Sequence, residues 1–447
     1  WSSDVCSSDL SIMFNSDIYN RRRQNLINLM GKGVAILKGA PEQIRTNDTE
    51  YPYRQDSDFF YLTGYTEPGA ACIIDPNNKD NPFTMFVLPQ DPKKEVWTGW
   101  RLSFDETVAK YKADQALDIA EFETASLAAM KTSSKVYTNL NHDKVHQYKM
   151  LDLVGQVRKE VQRNGGGPVG LESVGSITHG MRLIKDEHEI KLLQRAADIS
   201  ADAHSKAMEV CSPGMYEYQL QAVLESHFVH EGSAGPAYTS IVGAGDNATV
   251  LHYIKNRDQI VDGDMILIDA AAEYDMYAAD ITRSFPANGK FSEAQKAIYG
   301  VVLKAQKAVI EASKPGVTFK ELHKMDLRLL VEGMIEIGLL DGTADEVIEN
   351  KTYQDYFMHN TGHWLGLDVH DMGNYMADGE SIELKPGMVF TVEPGIYVNS
   401  KSKAPEKFRG IGIRIEDDIV ITESGNKNLT AAVPKEISEI EALMNKV

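Results

Sequence analysis

Five residues in the second half of the chain have the types and spacing of a metal site. Four are carboxylates and the fifth is a histidine: Asp269, Asp280, His363, Glu393 and Glu416. Four carboxylates with one imidazole form a hard, oxygen-rich ligand set that suits Mn²⁺, Co²⁺ or Zn²⁺ rather than copper. Four negative charges balance two divalent cations, so the set predicts a dinuclear centre. A pair of divalent metals can ionise water at neutral pH and polarise a carbonyl, and metal-assisted hydrolysis is the predicted reaction.

The first two acids are predicted to lie on neighbouring strands. The apolar run 265–268 ends at Asp269, and 278–285 predicts a second strand that contains Asp280, with a turn at 273–275. Two buried carboxylates in such a hairpin raise each other's pKa unless a cation neutralises them. By themselves these aspartates favour a solvated strand edge, and the acids further along the chain reverse that interpretation.

A weak internal repeat relates the regions that carry the acids. In each half a Pro-Gly pair separates two predicted helices: Pro213-Gly214 between 185–210 and 217–231, and Pro315-Gly316 between 292–313 and 319–337. A glycine then begins an apolar strand, and an acid follows six positions later: Gly263 and Asp269, then Gly387 and Glu393. Each half then has a second acid on a later predicted strand: Asp280 and Glu416. The repeat predicts two similar halves packed face to face.

The chain before residue 170 predicts a smaller mixed α/β domain. Its predicted elements are helices at 16–30, 105–130 and 143–163 and strands at 33–38, 59–63, 71–74 and 83–88. The glycine-rich run 164–168 is the predicted linker. The predicted division is therefore an N-terminal domain at 13–170 and a catalytic domain at 171–447. Residues 1–12 differ in character from the rest and are predicted to be a non-native leader.

Composition narrows the function classes. The net charge is −19 with no large basic cluster, which argues against nucleic acid and anionic membrane surfaces as partners. The three cysteines, Cys6, Cys72 and Cys211, are far apart, which argues against a disulfide scaffold or a thiolate zinc site and favours a reducing, cytoplasmic compartment. No apolar run reaches 18 residues, so no membrane span is predicted.

The order and spacing of the five ligands resemble those of the pita-bread metallopeptidase family. Further motifs are similar to its bacterial aminopeptidase P (Xaa-Pro aminopeptidase) branch: EYPYRQDSDFFYLTGY at 50–65, HWLGLDVHD at 363–371, TVEPG at 391–395 and GIGIRIEDD at 410–418. The resemblance implies an α+β chain, with a creatinase/aminopeptidase-like pita-bread domain after a smaller N-terminal domain. It also implies two divalent ions, Mn²⁺ before Co²⁺ or Zn²⁺.

The resemblance assigns roles by position. Asp269 is expected to bind one metal, His363 and Glu393 the other, and Asp280 and Glu416 both, with Glu393 also the candidate general base. Three histidines match groups that flank the substrate and stabilise the tetrahedral intermediate: His252, His359 and His370. Of these, His252 and His370 are also expected to bind the substrate. Tyr397 and Arg414 match a hydrogen-bonded network behind Asp269. Trp97 and Asp48 match substrate-contacting residues, Trp97 from a neighbouring subunit of a homo-oligomer, a dimer or a tetramer.

The implied activity is removal of the N-terminal residue from peptides whose second residue is proline. A bond to proline lacks the N–H that general peptidases pair with, so a dedicated pocket is needed. Two alternatives stay open: a prolidase, which cleaves only Xaa-Pro dipeptides, and an inactive pita-bread module used for binding. Taken singly, His359 and His370 are as consistent with buried core histidines as with catalytic ones, and Trp97 is more typical of packing.

Overall fold

The computed structural model describes residues 14–140, 143–161, 163 and 165–445. The chain divides into two units, the first ending at Met181 and the second beginning at Arg182. Leu171–Ser173, beyond the predicted boundary at 170, adds a strand to the sheet of the first unit. The predicted leader at 1–12 lies outside the described residues.

The first unit is a mixed α/β domain. Its helices are α1 Ser16–Met30, α2 Ser57–Thr63, α3 Pro92–Thr98, α4 Phe104–Tyr111, α5 Phe122–Lys131, α6 Lys144–Val161 and α7 Gly175–Leu183, within which the division falls. Its strands are β1 Val34–Lys38, β2 Ile44–Thr46, β3 Thr49–Glu50, β4 Ala71–Ile74, β5 Phe83–Val87, β6 Gln115–Asp118, β7 Val136–Thr138 and β8 Leu171–Ser173. Six of them form one sheet in the order β6-β5-β4-β1-β7-β8. The predicted strands at 33–38, 71–74 and 83–88 are confirmed.

The predicted strand at 59–63 is wrong, because these residues lie in α2. The Asp56 side chain caps this helix by accepting a hydrogen bond from the backbone N–H of Phe59 at 2.8 Å. The helix is buried on nearly every side, so its sequence has no polar face, and a short apolar run does not distinguish a buried helix from a strand. The predicted helical stretch at 105–130 contains two helices, α4 and α5, with β6 between them.

The second unit joins long helices to short antiparallel strands. Its helices are α8 Glu187–Val210, α9 Glu217–His230, α10 Glu293–Ala312, α11 Phe319–Glu336, α12 Ala344–Glu349 and α13 Ile437–Met444. Its strands are β9 Gly235–Pro236, β10 Ile241–Ala244, β11 Met265–Asp269, β12 Ala272–Tyr274, β13 Tyr277–Ala278, β14 Thr282–Pro286, β15 Met376–Ala377, β16 Glu380–Ser381, β17 Val389–Val392, β18 Gly395–Val398, β19 Ile411–Arg414, β20 Asp417–Ile421 and β21 Asn426–Asn428. The four predicted long helices are confirmed.

Two three-stranded sheets carry the acids in equivalent places. One has the order β10-β11-β14 and the other β17-β20-β21, and both central pairings are antiparallel. Asp269 ends β11 and Glu393 follows β17, while Asp280 and Glu416 stand just before β14 and β20. The prediction that Asp280 and Glu416 lie within strands is wrong, because each strand begins one or two residues later. Their side chains are therefore not restricted to the alternation of a pleated ladder.

The predicted duplication is confirmed by backbone details that recur in both halves. Four glycines of the repeat share a left-handed backbone with φ between 86° and 94°: Gly214, Gly316, Gly263 and Gly387. The N–H of Gly214 donates to Ile260 O, and that of Gly316 donates to Leu384 O, at 2.8 and 3.0 Å. Glycine adopts such positive φ values without the steric penalty of a Cβ, which explains why both halves have it there.

The apolar faces of α8 to α11 cover these sheets. One core cluster of the second unit joins residues of α8 to α11 with residues of β10, β11, β14, β18 and β19, and a second joins residues of α10 and α11 with residues of β17 and β20. Burial of this apolar area supplies most of the favourable folding free energy, at about 25 cal/mol per Å². Across the described part of the chain, no helix combines the length and the hydropathy that crossing a bilayer requires.

Candidate metal centre

The five predicted ligands line one cavity in the second unit. The cavity has a volume of about 680 Å³, and Asp269, Asp280, His363, Glu393 and Glu416 all contribute to its wall. All four acids are at least four-fifths buried, so bulk water solvates little of their charge. The two sheets of the duplicated halves therefore deliver their acids to the same place.

Distances within the cavity show which groups converge. Ligand atoms of Asp280, His363 and Glu416 lie within 4.8 Å of one another. The Nε2 atom of His363 is 3.3 Å from Asp280 Oδ2 and 3.6 Å from Glu393 Oε1. Asp269 joins the group through a phenol, because Tyr238 Oη lies 2.6 Å from Oδ1 of both Asp269 and Asp280.

The backbone around His363 sets the direction of its ring. Its Nδ1 donates to the carbonyl of Trp364 at 3.1 Å, which directs Nε2 toward the carboxylates. The His363 segment is attached to β17 from both sides, because Thr391 N donates to His363 O and His363 N donates to Thr391 Oγ1, at 2.9 and 3.1 Å. His363 and Glu393 are thus held on adjacent segments.

The acids carry more negative charge than their protein neighbours neutralise. Burial and the charge of Asp280 raise the pKa of Glu416 well above its ordinary value, and burial raises that of Glu393 to about 7. Burial also raises the pKa of Asp269 despite the adjacent Arg414. Burial disfavours a charged His363, but Asp280 and Glu393 outweigh it and raise its pKa to about 9. A cluster of acids that retains protons in this way fits divalent cations as the missing counter-charge.

Arg414 anchors the network behind Asp269. Its guanidinium donates to Asp269 Oδ2 at 2.5 Å, to Thr282 Oγ1 at 3.0 Å and to Tyr397 Oη at 3.1 Å. Thr282 donates in turn to Glu416 Oε2 at 2.6 Å. One buried cation thus orients an acid from each half, directly for Asp269 and through Thr282 for Glu416.

The three predicted substrate histidines all line the cavity. His359 has both ring nitrogens engaged: Nδ1 donates to Asn360 O at 2.7 Å, and Nε2 accepts from Tyr397 Oη at 2.8 Å. Burial and the nearby Arg414 lower the pKa of His359 to about 4, so its ring is neutral. The imidazole of His370 stands 4.3 Å from that of His363, centroid to centroid, and His252 is exposed on the wall. His252 and His370 are therefore the histidines that face the open space.

Some residues of the site have no signal in the sequence. Tyr238 lies in the loop between β9 and β10, outside any motif, and only the fold brings its hydroxyl to two acids. Asp326 on α11 is also buried and accepts a hydrogen bond from Thr361 Oγ1 at 2.7 Å, two residues before His363. Burial raises the pKa of Asp326 to about 7. A lone acid in an amphipathic helix is ordinarily interpreted as a solvated residue, so sequence reasoning passes over it.

The two remaining candidates, Asp48 and Trp97, belong to the first unit. Asp48 lies in the turn between β2 and β3, and Trp97 on α3 is 87% exposed. Their assignment as substrate-contacting residues stays a prediction.

Comparisons with known proteins follow the same division of the chain. Residues 191–423 match metallopeptidase family M24, and residues 19–137 match the N-terminal domain of aminopeptidase P. The first match spans the ligands and the histidines of the cavity, and the second covers the mixed α/β sheet of the first unit up to β7. The predicted fold class is confirmed.

Relatives and solved structures match the chain over nearly its whole length. The chain is 43% identical to the Xaa-Pro aminopeptidase of Escherichia coli, over 95% of this chain and 97% of the relative, and 40% identical to that of Haemophilus influenzae, over 95% and 96%. It is similar to the structure of Pseudomonas aeruginosa aminopeptidase PepP, with a TM-score of 0.94 and 43% identity over 97% and 99% of the two chains. The chain belongs to metallopeptidase family M24.

Proposed function

We propose that this chain is a metal-dependent hydrolase that releases the N-terminal residue from peptides with proline in the second position. The observation that carries the proposal is the convergence of four buried acids and one histidine on a cavity that two further histidines face. Relatives whose alignment covers 95% of this chain bear the name Xaa-Pro aminopeptidase, which supports the same substrate class.

Divalent cations fit the donor set. Asp269, Asp280, His363, Glu393 and Glu416 would hold two of them, Mn²⁺ before Co²⁺ or Zn²⁺. Zinc at least is compatible with this type of site, since one similar structure is a zinc-substituted E. coli aminopeptidase P in complex with product. When bound, the ions would polarise the scissile carbonyl and lower the pKa of water.

Glu393 is the proposed proton acceptor. Burial raises the pKa of its carboxyl to about 7 in the absence of metal, and bound cations would lower it, so that Glu393 would be an ionised acceptor at neutral pH. Thr391 Oγ1, 3.4 Å from Glu393 Oε1, and the bond from Glu393 N to Thr361 O at 2.8 Å fix its position. The proton that leaves the attacking water would pass through Glu393 to the nitrogen of the departing proline.

His252 and His370 are the proposed donors to the developing oxyanion, since they face the cavity. His359 supports them from behind, because Tyr397 and Asn360 already occupy its nitrogens. Apolar wall residues such as Ile241, Leu251 and Val369 offer a surface for a proline ring. Asp269 is the proposed neighbour of the substrate's α-amine.

We propose further that the chain assembles into a homo-oligomer, a dimer or a tetramer, in which Trp97 and Asp48 contact substrate bound to another subunit. The high exposure of Trp97 supports such a contact, because a large aromatic gains most from burial by a partner. The cytoplasmic location also stays a prediction.

A peptide assay tests the proposed function. Purified protein with added Mn²⁺ is expected to cleave an Xaa-Pro-Yaa tripeptide, and Glu393→Ala is expected to abolish turnover. Cleavage of an Xaa-Pro dipeptide alone would favour a prolidase instead. Absence of bound metal together with absence of turnover would indicate a binding module, and near-wild-type turnover by Glu393→Ala would exclude Glu393 from the reaction.

A further inference from the structure

A buried ion cluster lies behind the loop that connects His363 to His370. Asp371, directly after His370, is 1% exposed as a side chain and uses both carboxylate oxygens. Arg182 Nη2 donates to Oδ1, and Lys185 Nζ donates to Oδ2 at 2.9 Å. Arg182 Nη2 also donates to Asp368 Oδ2 at 2.6 Å, so both ends of the segment 368–371 are attached to it.

The cluster is too costly to be an incidental contact. The side chains of Arg182 and Lys185 are 3% and 1% exposed, so two cations have been removed from water. Desolvating an ion costs several kcal/mol unless its partners compensate it. Two charges of each sign meet here, and the two cations hold the pKa of Asp371 below its ordinary value despite its burial.

The two histidines of the loop are held in different ways. His363 is hydrogen-bonded to Thr391, next to β17, and Leu365 N continues this attachment by donating to Val389 O at 3.0 Å. At the other end, Asp371 N donates to Trp364 O at 2.9 Å, and the Asp371 side chain reaches the two cations. The residue after His370 is therefore held by the ion cluster as well as by the backbone of Trp364, whereas His363 is bonded directly to β17.

The loop is shaped around this contact. A Cβ added to Gly366 would lie 2.2 Å from Asp371 Oδ2 and 2.9 Å from Lys185 Cε, so the glycine leaves the space that the ion pair fills. Lys185 is fixed in turn by its backbone, whose N–H donates to Gly387 O at 2.8 Å, in the glycine turn before β17. The geometry connects the end of the loop to the half that supplies Glu393.

We propose that Lys185 and Arg182 are positioning residues that act through Asp371 to hold His370 toward the substrate. This inference rests on the proposed function, because it assigns His370 a role in that reaction. It separates two groups of residues: the ion cluster serves the substrate side of the cavity, and β17 with its neighbours serves the metal side.

A double-mutant cycle between Lys185→Met and His370→Ala tests the proposal with a tripeptide substrate. Each single variant is expected to lower kcat/KM by roughly 10- to 100-fold, since a displacement of about 1 Å costs this much in a preorganised site. In the Lys185→Met background, His370→Ala is expected to cost less than about threefold more, because the ring is already displaced. Bound metal should be unchanged, and Lys185→Arg should recover part of the loss.

Several results would overturn the proposal. They are multiplicative losses in the double variant, loss of metal in Lys185→Met, or kcat/KM of Lys185→Met equal to that of the control. Lys307→Met is the control, since it removes an exposed lysine that pairs with Glu436 on the surface of the same unit. If Lys185→Met fails to fold, the near-isosteric Asp371→Asn replaces it in the same cycle. Failure of the wild type to cleave the peptide would contradict the proposed function instead.

Discussion

Gly362 is a position where the addition of a single methyl group should disturb the centre. An added Cβ would lie 1.9 Å from the carbonyl oxygen of Thr391 and 2.7 Å from its carbonyl carbon. These atoms are backbone, so no side chain can rotate away. To reach ordinary van der Waals contact near 3.4 Å, the His363 segment and β17 would have to separate by about 1.5 Å.

That separation acts on the predicted metal ligand His363 and on the strand beside it. The bonds from Thr391 N to His363 O and from His363 N to Thr391 Oγ1 would both lengthen beyond hydrogen-bonding range. Overpacking costs about 1–3 kcal/mol and the two lost bonds about 1 kcal/mol each. His363 would move from the carboxylates by a distance that costs about 100-fold in a preorganised site. Gly362→Ala should therefore lower kcat/KM for an Xaa-Pro-Yaa peptide by about 100-fold or more.

Tripeptide hydrolysis, metal content and thermal unfolding should be measured together. Gly300→Ala is the matched control: Gly300 lies in α10, is exposed, and has no atom within 4 Å of an added Cβ. The control should keep full activity and gain about 0.5–1 kcal/mol, because alanine has the better helix propensity. Activity of Gly362→Ala within about threefold of wild type, with an unchanged Tm, would refute the steric reasoning.

Three further outcomes are expected. Arg414→Met should destabilise the chelator-treated protein by about 3–5 kcal/mol, because Asp269 stays buried without its cation, and added metal should reduce this loss of stability. Urea unfolding with and without metal measures both losses, and equal losses would contradict the prediction. Metal binding near pH 7 should release protons from the acids, Glu393 among them. Calorimetry of metal binding should therefore give different heats in buffers of different ionisation enthalpy, and identical heats would argue against proton displacement. Burial raises the pKa of Asp326 to about 7 from an ordinary 3.8, so the folded state loses stability as the pH rises through this interval. The free energy of unfolding should therefore increase in Asp326→Asn by about 3 kcal/mol more at pH 8 than at pH 5, and an equal increase at both pH values would exclude this titration.

The convergence of the four acids on one cavity could be predicted because their signal is local and repeated. A glycine, an apolar strand and an acid recur at the same spacing, and the shared positive φ of Gly263 and Gly387 gives the physical reason. Long helices with clear stops, such as α8 and α10, followed from their periodicity and caps.

The remainder depends on contacts between distant parts of the chain. Tyr238 reaches Asp269 and Asp280, and Asp326 reaches Thr361, only through the packing of a loop and a helix, and no sequence pattern around them indicates these contacts. The residues of α2 predict a strand because burial on nearly every side removes the polar face that marks a helix. The stretch 278–285 predicts one strand, but β13 pairs with β12 and β14 with β11, so the chain changes its partner strand at 279–281.

Because of the duplication, the centre is complete only when both halves of the second unit have folded and packed together. Neither half supplies all of the predicted ligands, since Asp269 and Asp280 come from one and Glu393 and Glu416 from the other. Arg414 connects the two halves, because its own strand, β19, belongs to one half and its partner Asp269 to the other. A nascent chain that has folded only its first half therefore lacks Glu393 and Glu416, and the set of four acids is complete only once synthesis has passed Glu416.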